Sequence, residues 1–304
     1  MLPSYIYVKW GGIISVEKSD LERVKYLERA GKWFKIRAVM IVLVFAGTIL
    51  VMVAMATLAP IAPTGFASSS DVIKFMATTV IATIPRMLIV TSFAAVWSAI
   101  LAVPLANLGR YFKISGGGIA AVVVACSLIP PISLALMYNS LMQSAYAAVN
   151  KFLEEHTAEF SAALSSGQLN PQVLIELNNE LTKILIQVMQ PVQLMSFVAA
   201  VVPLLAAFLV LKVAKEVKAT SVKALGVVYI IMALFNIASA LSSLASVNIA
   251  VLMVAGAVST VSLVVTIAMA VLEWVTGSRL KSYAAEVRKA AEEAELLESA
   301  EAGS

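Results

Sequence analysis

Few residues in the apolar runs of this 304-residue chain offer polar groups that could act inside a membrane. The most conspicuous feature is a pair of adjacent prolines, because each proline frees a backbone carbonyl. Pro130 and Pro131 interrupt an apolar run from Gly118 to Tyr138 that carries no charge. A proline lacks an amide donor and leaves the carbonyl one turn earlier without its partner. In lipid, such a carbonyl is tolerated where a neighbouring helix, a hydroxyl or water satisfies it. We therefore expect a kink or break at 129–131 that faces protein or a water-filled path.

Small polar residues lie close to this proline pair. Ser127 and Ser133 flank it and could satisfy the freed carbonyls, and Asn139 ends the apolar run. With the two prolines they form a candidate kink or conduit wall. Two interpretations stay open, a static kink and a moving part of a conduit.

A second polar group occurs in a later apolar run. Asn236, Ser239 and Ser243 fall along one side of a predicted helix. Small residues allow helices to approach closely in lipid, and polar side chains hydrogen-bond between them. We interpret this group as an interhelical polar contact, with a substrate contact through Asn236 as the second interpretation.

Titratable residues near the bilayer midplane would indicate transport or catalysis. The apolar runs contain essentially none, since Arg86 and Glu273 fall at their ends. With one histidine, His156, and one cysteine, Cys126, a multi-histidine metal site and an internal disulfide are excluded. Metalloprotease, serine-hydrolase and P-loop motifs are absent from the sequence. We expect no enzyme, no cofactor and no metal, and any ATP hydrolysis would come from another chain.

The composition indicates that lipid is the solvent for most of the chain. Hydrophobic residues make up 61% and charged residues 13%, whereas soluble domains are near half apolar and about a quarter charged. The apolar residues fall in blocks of about 20, the length of helix that crosses roughly 30 Å of hydrocarbon. We predict an all-α polytopic membrane protein with six transmembrane helices, at 38–59, 87–108, 118–139, 192–211, 224–243 and 249–272.

Basic residues predict the orientation, because cytoplasmic loops carry an excess of Lys and Arg. All but four of the 22 basic residues fall on one side of the predicted map; the four are Lys74, Arg86, Lys151 and Lys183. Both termini are therefore expected in the cytoplasm of a multi-pass cell-membrane protein. The segment 72–86 is too short to span, so we interpret it as interfacial or re-entrant. If it spanned, the downstream topology would be inverted.

The predicted spans divide the chain into five parts. These are a cytoplasmic segment with an amphipathic helix (1–37), three spans (38–139), an extracytoplasmic helical hairpin (140–190), three spans (191–275) and a cytoplasmic C-terminal helix (276–304). The N-terminal helix, expected at 14–36, contains a capping box, Ser19 to Glu22. It would anchor the first span in the interface or dock a partner.

Three surfaces outside the spans suggest partners besides membrane lipid. The hairpin should continue from the third span with one apolar side, buried against lipid, its second helix or another subunit in a homo- or hetero-oligomer. The residues of this side are Leu141, Ala145, Val149, Phe152, Phe160 and Leu164. The C-terminal helix carries a narrow apolar stripe and would be either solvated or a docking helix. The candidate cytoplasmic docking residues for an ATPase lie in the 212–223 loop: Lys212, Lys215, Lys218 and Lys223.

The order of these segments resembles the polytopic inner-membrane channel subunit of type IV secretion and conjugation machines. It is also similar to the archaeal Ced-type membrane protein of DNA exchange. This chain has a first span and an N-terminal helix that the bacterial pattern lacks, and in this respect it is closer to the archaeal arrangement. The resemblance covers about 38–275 and rests on topology and composition. It implies an oligomeric channel or scaffold subunit through which single-stranded DNA crosses the membrane, energised by a separate ATPase. The alternative is a membrane subunit of a small-molecule transporter or permease.

The predicted map has a direct test. An epitope tag inserted at Gly167, in the 140–190 segment, should bind antibody on intact cells. Tags at either terminus should bind only after the membrane is permeabilised. A Gly167 tag that is accessible only from the cytosol would invert the map.

Overall fold

The computed structural model describes residues 5–9, 12–16, 18–57, 83–165, 194–242 and 249–302, with the single positions 179, 183, 187 and 190. This part of the chain is helical apart from one short β-hairpin. Four of its helical segments are long and apolar enough to cross a membrane: Thr91–Tyr111, Gly116–Phe152, Phe197–Val217 and Thr220–Ala238. The prediction of a helical membrane protein is confirmed at this level.

The elements follow in chain order. They are β1 (Tyr5–Lys9), β2 (Gly12–Val16), α1 (Lys18–Thr57), α2 (Thr83–Ile100), α3 (Ala102–Tyr111), α4 (Gly116–Ser165), α5 (Ser196–Val217), α6 (Thr220–Ser242) and α7 (Ile249–Ala302). The two strands pair antiparallel, with Lys9 opposite Gly12. The N-terminal helix therefore begins at Lys18 rather than at 14, because 14–16 belong to β2. Nothing in the sequence analysis anticipated this hairpin.

Helices α1 and α7 are much longer than a single span. They contain 40 and 54 residues, which at 1.5 Å per residue makes them about 60 and 80 Å long. The N-terminal helix and the first predicted span are thus one helix, as are the last predicted span and the C-terminal helix. Each extends well beyond the roughly 30 Å of a hydrocarbon core.

The two long helices pack antiparallel against each other. Val24 of α1 shares a small buried cluster with Ala284 and Val287 of α7, and buried Leu280 lies in the main core with Leu27. The described part of the apolar stripe of the C-terminal helix, as far as Ala291, is therefore covered by the N-terminal helix of the same chain. We call residues 18–37 of α1 together with 273–302 of α7 the terminal helix pair.

Two glycines set the distance between these helices. A Cβ added at Gly31 would lie 2.7 Å from the carbonyl oxygen of Gly277, and one added at Gly277 would lie 2.5 Å from the carbonyl oxygen of Gly31. Real side chains do not approach backbone oxygens so closely. Because neither residue has a Cβ, the two backbones touch here, as small residues allow in membrane helix pairs.

Prolines interrupt the helices at different places from those predicted. The one interruption between α2 and α3 falls at Leu101, three residues before Pro104, which cannot donate to the carbonyl of Ile100. In contrast, α4 continues through Pro130 and Pro131 as one 50-residue helix. The helix is therefore not broken at 129–131, and the alternative expectation of a kink there stays a prediction.

The connections near one end of the bundle are short turns. Lys218 and Ala219 alone separate α5 from α6, so the predicted 212–223 loop is mostly helix. Lys218 has a φ of 49°, and Lys113, between α3 and α4, has a φ of 60°. Such left-handed positions usually take glycine. Lysine at both turns keeps positive charge at this end of the bundle.

The predicted outer hairpin is partly described. Helix α4 continues from the third span, and Leu141, Ala145, Val149 and Phe152 are all buried, as predicted for this apolar side. The side chains of Phe160 and Leu164 lie outside the described ones. Of the second predicted helix, the single positions 179, 183, 187 and 190 are described, and all four are helical. The rest of that helix and most of the 72–86 segment lie outside the described residues.

The main core lies at the end of the bundle that contains the terminal helix pair. It joins six helices, and one nearly inaccessible residue from each is Phe34, Leu105, Val123, Val210, Leu225 and Leu280. Elsewhere large apolar side chains face outward; the most exposed include Leu50, Leu136, Phe208, Leu234 and Val264. Exposed apolar surface on this scale must be covered by lipid or by other subunits.

The glycine contact gives a stability prediction. Gly31→Ala should destabilise the protein by about 1–3 kcal/mol, because the new methyl group must push two backbones apart. The matched control is Gly47→Ala in the same helix, where an added Cβ would meet nothing within 4 Å. Thermal unfolding of the detergent-solubilised protein should show a lower midpoint for Gly31→Ala only, and equal midpoints would contradict the close contact.

Candidate functional site: a buried charge cluster

An ion pair between the two terminal helices is the most distinctive feature of the interior. Arg37 of α1 is 1% exposed and Glu273 of α7 is fully buried. The guanidinium Nη1 donates to Glu273 Oε1. Tyr229 of α6 donates its hydroxyl to the same Oε1 at 2.5 Å, and Arg37 Nη1 donates to the Tyr229 hydroxyl oxygen at 3.2 Å.

A fourth helix completes this arrangement. Arg37 Nε donates to the carbonyl oxygen of Trp97 in α2 at 3.2 Å. The guanidinium also lies 4.5 Å from the centroid of the Trp97 ring, within the range of a cation–π interaction. The buried charge cluster, which we define as Arg37, Trp97, Tyr229 and Glu273, thus connects α1, α2, α6 and α7.

Two buried polar atoms in or beside the cluster have no hydrogen-bond partner among the described residues. Glu273 Oε2 and Thr276 Oγ1, one turn apart on α7, are buried and have no hydrogen-bond partner in the described part of the chain. Buried polar atoms without partners are rare, and each needs an explanation. Chemically, the free carboxylate oxygen can accept a proton or a hydrogen bond from water.

The cluster corrects one inference from the sequence. Arg37 was grouped with the basic N-terminal residues and Glu273 with the end of the last span, so no buried charge was expected. The structure buries both in the bundle because α1 and α7 continue past those limits side by side. A signal was present in the sequence: opposite charges stand beside the first and last apolar runs, each next to a tryptophan-bearing segment.

The residues of the proposed conduit are only partly brought together. Ser127 is buried, but its hydroxyl has no hydrogen-bond partner among the described residues, so it does not satisfy a carbonyl freed by the prolines. Pro131 is buried, whereas Asn139 is exposed. Asn139 lies twelve residues beyond Ser127 on the same helix, about 18 Å away along the axis. Ser133 is half-buried.

The other predicted residues take ordinary positions. Asn236 is half-buried in α6, and the side chains of Ser239 and Ser243 lie outside the described ones. All four candidate docking lysines are exposed: Lys212, Lys215, Lys218 and Lys223. Lys212 Nζ lies 4.3 Å from the ring centroid of Phe112, which holds it against the neighbouring turn.

A groove between α1 and α7 is lined almost entirely by cations. It has a volume of about 390 Å³. We call it the basic groove; its lining residues are Lys25, Glu28, Arg29, Lys32, Lys281 and Arg288. No group of three or more potential metal ligands occurs among the described residues.

Comparison of the chain with known protein families, with characterised proteins and with solved structures found no match. The features above therefore stand on the residues and geometry of this chain. They consist of a buried charge cluster that joins four helices and a basic groove farther along the same two terminal helices.

The cluster predicts a specific pattern of stability changes. Glu273→Gln should lower the free energy of unfolding by about 3–5 kcal/mol, because it leaves the Arg37 guanidinium buried without a counter-charge. Combining it with Arg37→Met should recover most of that loss, since no unpaired charge then remains. Tyr229→Phe, which removes one hydroxyl donor, should cost about 1–2 kcal/mol.

Denaturant titrations of the detergent-solubilised variants would give these values. A double variant as unstable as the sum of its single changes would contradict a direct pair, because only interacting residues give non-additive effects of this size.

Proposed function

We propose that this protein is a channel or scaffold subunit of a multi-protein machine that transfers DNA across the cell membrane, energised by a separate ATPase. The observation that carries this proposal is the terminal helix pair. Helices α1 and α7, which contain the first and last predicted spans, continue as one antiparallel pair, joined by the Gly31–Gly277 contact and the buried charge cluster. Such a pair would transmit force or position from a soluble partner to the membrane helices.

The charge distribution supports this role. The proposed topology has six spans and both termini in the cytoplasm, which brings the terminal helix pair and the lysine-bearing turns to the same side. The basic groove and the exposed Lys212 and Lys215 then face the compartment that contains both DNA and the ATPase. Positive surface raises the local concentration of nucleic acid and speeds its association.

The outward apolar surface supports assembly with other subunits. The exposed band on α1, α4, α5 and α7 includes side chains as open as Leu136, at 81%. Single helices of this composition pack equally well against lipid or another membrane helix. The conduit would then lie between several copies of this chain, or between this chain and other membrane subunits, and not within a single copy.

One observation favours a small-molecule transporter as the second candidate. Glu273 and Arg37 are ionisable groups buried within the helix bundle, and such residues in membrane proteins commonly mark ion or proton pathways. The unpartnered Glu273 Oε2 is the atom that a proton or cationic substrate would meet. In that function Glu273 would change its protonation or pairing during each cycle, whereas in a scaffold it would stay paired with Arg37.

Deletion of the gene in its own host tests the proposal. Marker exchange between cells should fall to the level of a transfer-deficient strain and return with the intact gene. A chain ending after Ser278 lacks the C-terminal partner of α1 and should reach the membrane without restoring transfer. Normal exchange in the deletion strain would contradict a role in DNA transfer.

The same strains separate the two candidate functions. The combined Arg37→Met and Glu273→Gln variant removes both buried charges, so it should restore DNA transfer if the pair is structural. A transporter that uses these charges would not be restored by it. The neighbouring genes offer an independent check. A neighbouring gene for a DNA-translocase ATPase would favour DNA transfer, and one for a solute-binding protein would favour a small-molecule transporter.

A further inference from the structure

The basic groove is built by the two terminal helices together. Lys25, Arg29 and Lys32 line it from α1, and Lys281 and Arg288 from α7. On α1 these residues are three and four apart, so their side chains share one helix face. The antiparallel packing brings the α7 pair, seven residues apart, onto the same groove.

The charges of the groove do not cancel. Arg288 pairs with Glu28, the acidic residue of the lining, and both side chains are about 40% exposed. This neutralises one cation and leaves four, on Lys25, Arg29, Lys32 and Lys281. Like charges one turn apart destabilise a helix by about 0.2–0.5 kcal/mol per pair. A polyanion in the groove would turn this repulsion into attraction.

The position of the groove distinguishes between possible anions. The outward apolar band ends at Ile36 on α1 and at Trp274 on α7, where Lys35 lies over the indole ring; the exposed Leu296 stands apart, farther along α7. At 1.5 Å per residue, Lys32 lies about 6 Å beyond this limit and Lys25 about 16 Å. A headgroup layer is only about 5–8 Å thick on each side.

The same rise per residue gives the distances of the α7 cations from the end of the apolar band. Lys281 lies seven residues beyond Trp274, about 10 Å, and Arg288 about 21 Å. Lipid headgroups therefore reach the near end at Lys32, while Lys25 and Arg29 stand in water. An extended, water-soluble polyanion can contact the whole length.

We propose that the basic groove binds the phosphate backbone of single-stranded nucleic acid, which rests on the proposed function in DNA transfer. The 390 Å³ volume is in the range of small-ligand sites and too small to enclose a duplex. Lys25 to Lys32 spans about 10 Å, which matches about three phosphates of one strand at the roughly 3.4 Å rise of stacked bases. The lining residues include no aromatic side chain for base stacking, so binding is independent of sequence and governed by salt.

Binding of a fluorescent oligothymidylate to the full chain, in nanodiscs of neutral phosphatidylcholine, tests this site. With four cations releasing counterions, log Kd should rise with log salt with a slope of about 3 for a single strand. Lys25→Gln with Arg29→Gln should reduce the slope to about 1.5 and weaken binding at low salt. The matched control is Arg279→Gln with Lys289→Gln, two exposed cations of the same terminal helix pair outside the groove, and its slope should match that of the wild type.

A second variant pair distinguishes nucleic acid from membrane. Lys32→Gln with Lys281→Gln removes the near-end charge of Lys32 together with the α7 lysine of the groove, and should weaken oligothymidylate binding about as much as the far-end pair. Co-sedimentation with vesicles containing anionic phosphatidylglycerol should be insensitive to the far-end pair. Oligothymidylate affinity unchanged by either groove pair overturns the proposal, as does an equal loss in the control.

Failure of this proposal and failure of the proposed function give different results. If the groove variants lose oligothymidylate in nanodiscs but the deletion strain exchanges DNA normally, the groove binds nucleic acid and the transfer function is wrong. If deletion abolishes exchange and the groove variants keep full oligothymidylate affinity, transfer stands and the groove assignment is wrong. Melting temperatures equal to wild type would show that the surface substitutions leave the fold intact.

Discussion

The structure depends on a buried ion pair between the two ends of the chain. Arg37 and Glu273 are both buried, and the removal of either would leave the other as an unpaired charge inside an apolar bundle. Such a pair is weak evidence for net stability, because desolvation offsets most of the attraction. Its effect is on specificity: α1 and α7 can align in only one register without an unpaired charge. The Gly31–Gly277 contact, about one to two turns away, favours the same register.

This register has consequences for the rest of the molecule. Tyr229 and Trp97 attach the pair to α6 and α2, so the terminal helices are fixed relative to the membrane helices. Beyond the cluster, the same antiparallel packing covers the apolar stripe of the C-terminal helix with Val24 and its neighbours. It also brings the cations of both helices onto one groove. A force or ligand that moves the terminal helix pair would therefore also displace α2 and α6, to which the buried charge cluster attaches it.

The helical class, the membrane character and the apolar side of α4 were predictable because they follow from composition and from a simple helical period. The continuity of α1 and of α7 was not, since a change from polar to apolar residues within a helix looks like a boundary. At Pro130 and Pro131 the chain does not break, because the prolines lie within a 50-residue helix whose remaining residues support it; the kink expected there stays a prediction. The buried charge cluster was missed for a related reason: its partners are 236 residues apart, and no local pattern links them.

The most direct test of the account is cross-linking between the two terminal helices. In a Cys126→Ala background, which removes the single native cysteine, Val24→Cys and Val287→Cys place one thiol on each helix within a shared buried cluster. Mild oxidation in native membranes should join them within one chain, as mixtures of tagged and untagged copies would reveal. Ala285→Cys, an exposed position on α7, should cross-link to Val24→Cys much more slowly. Equal rates for the two positions, or products formed only between chains, would contradict the antiparallel pairing of the chain ends.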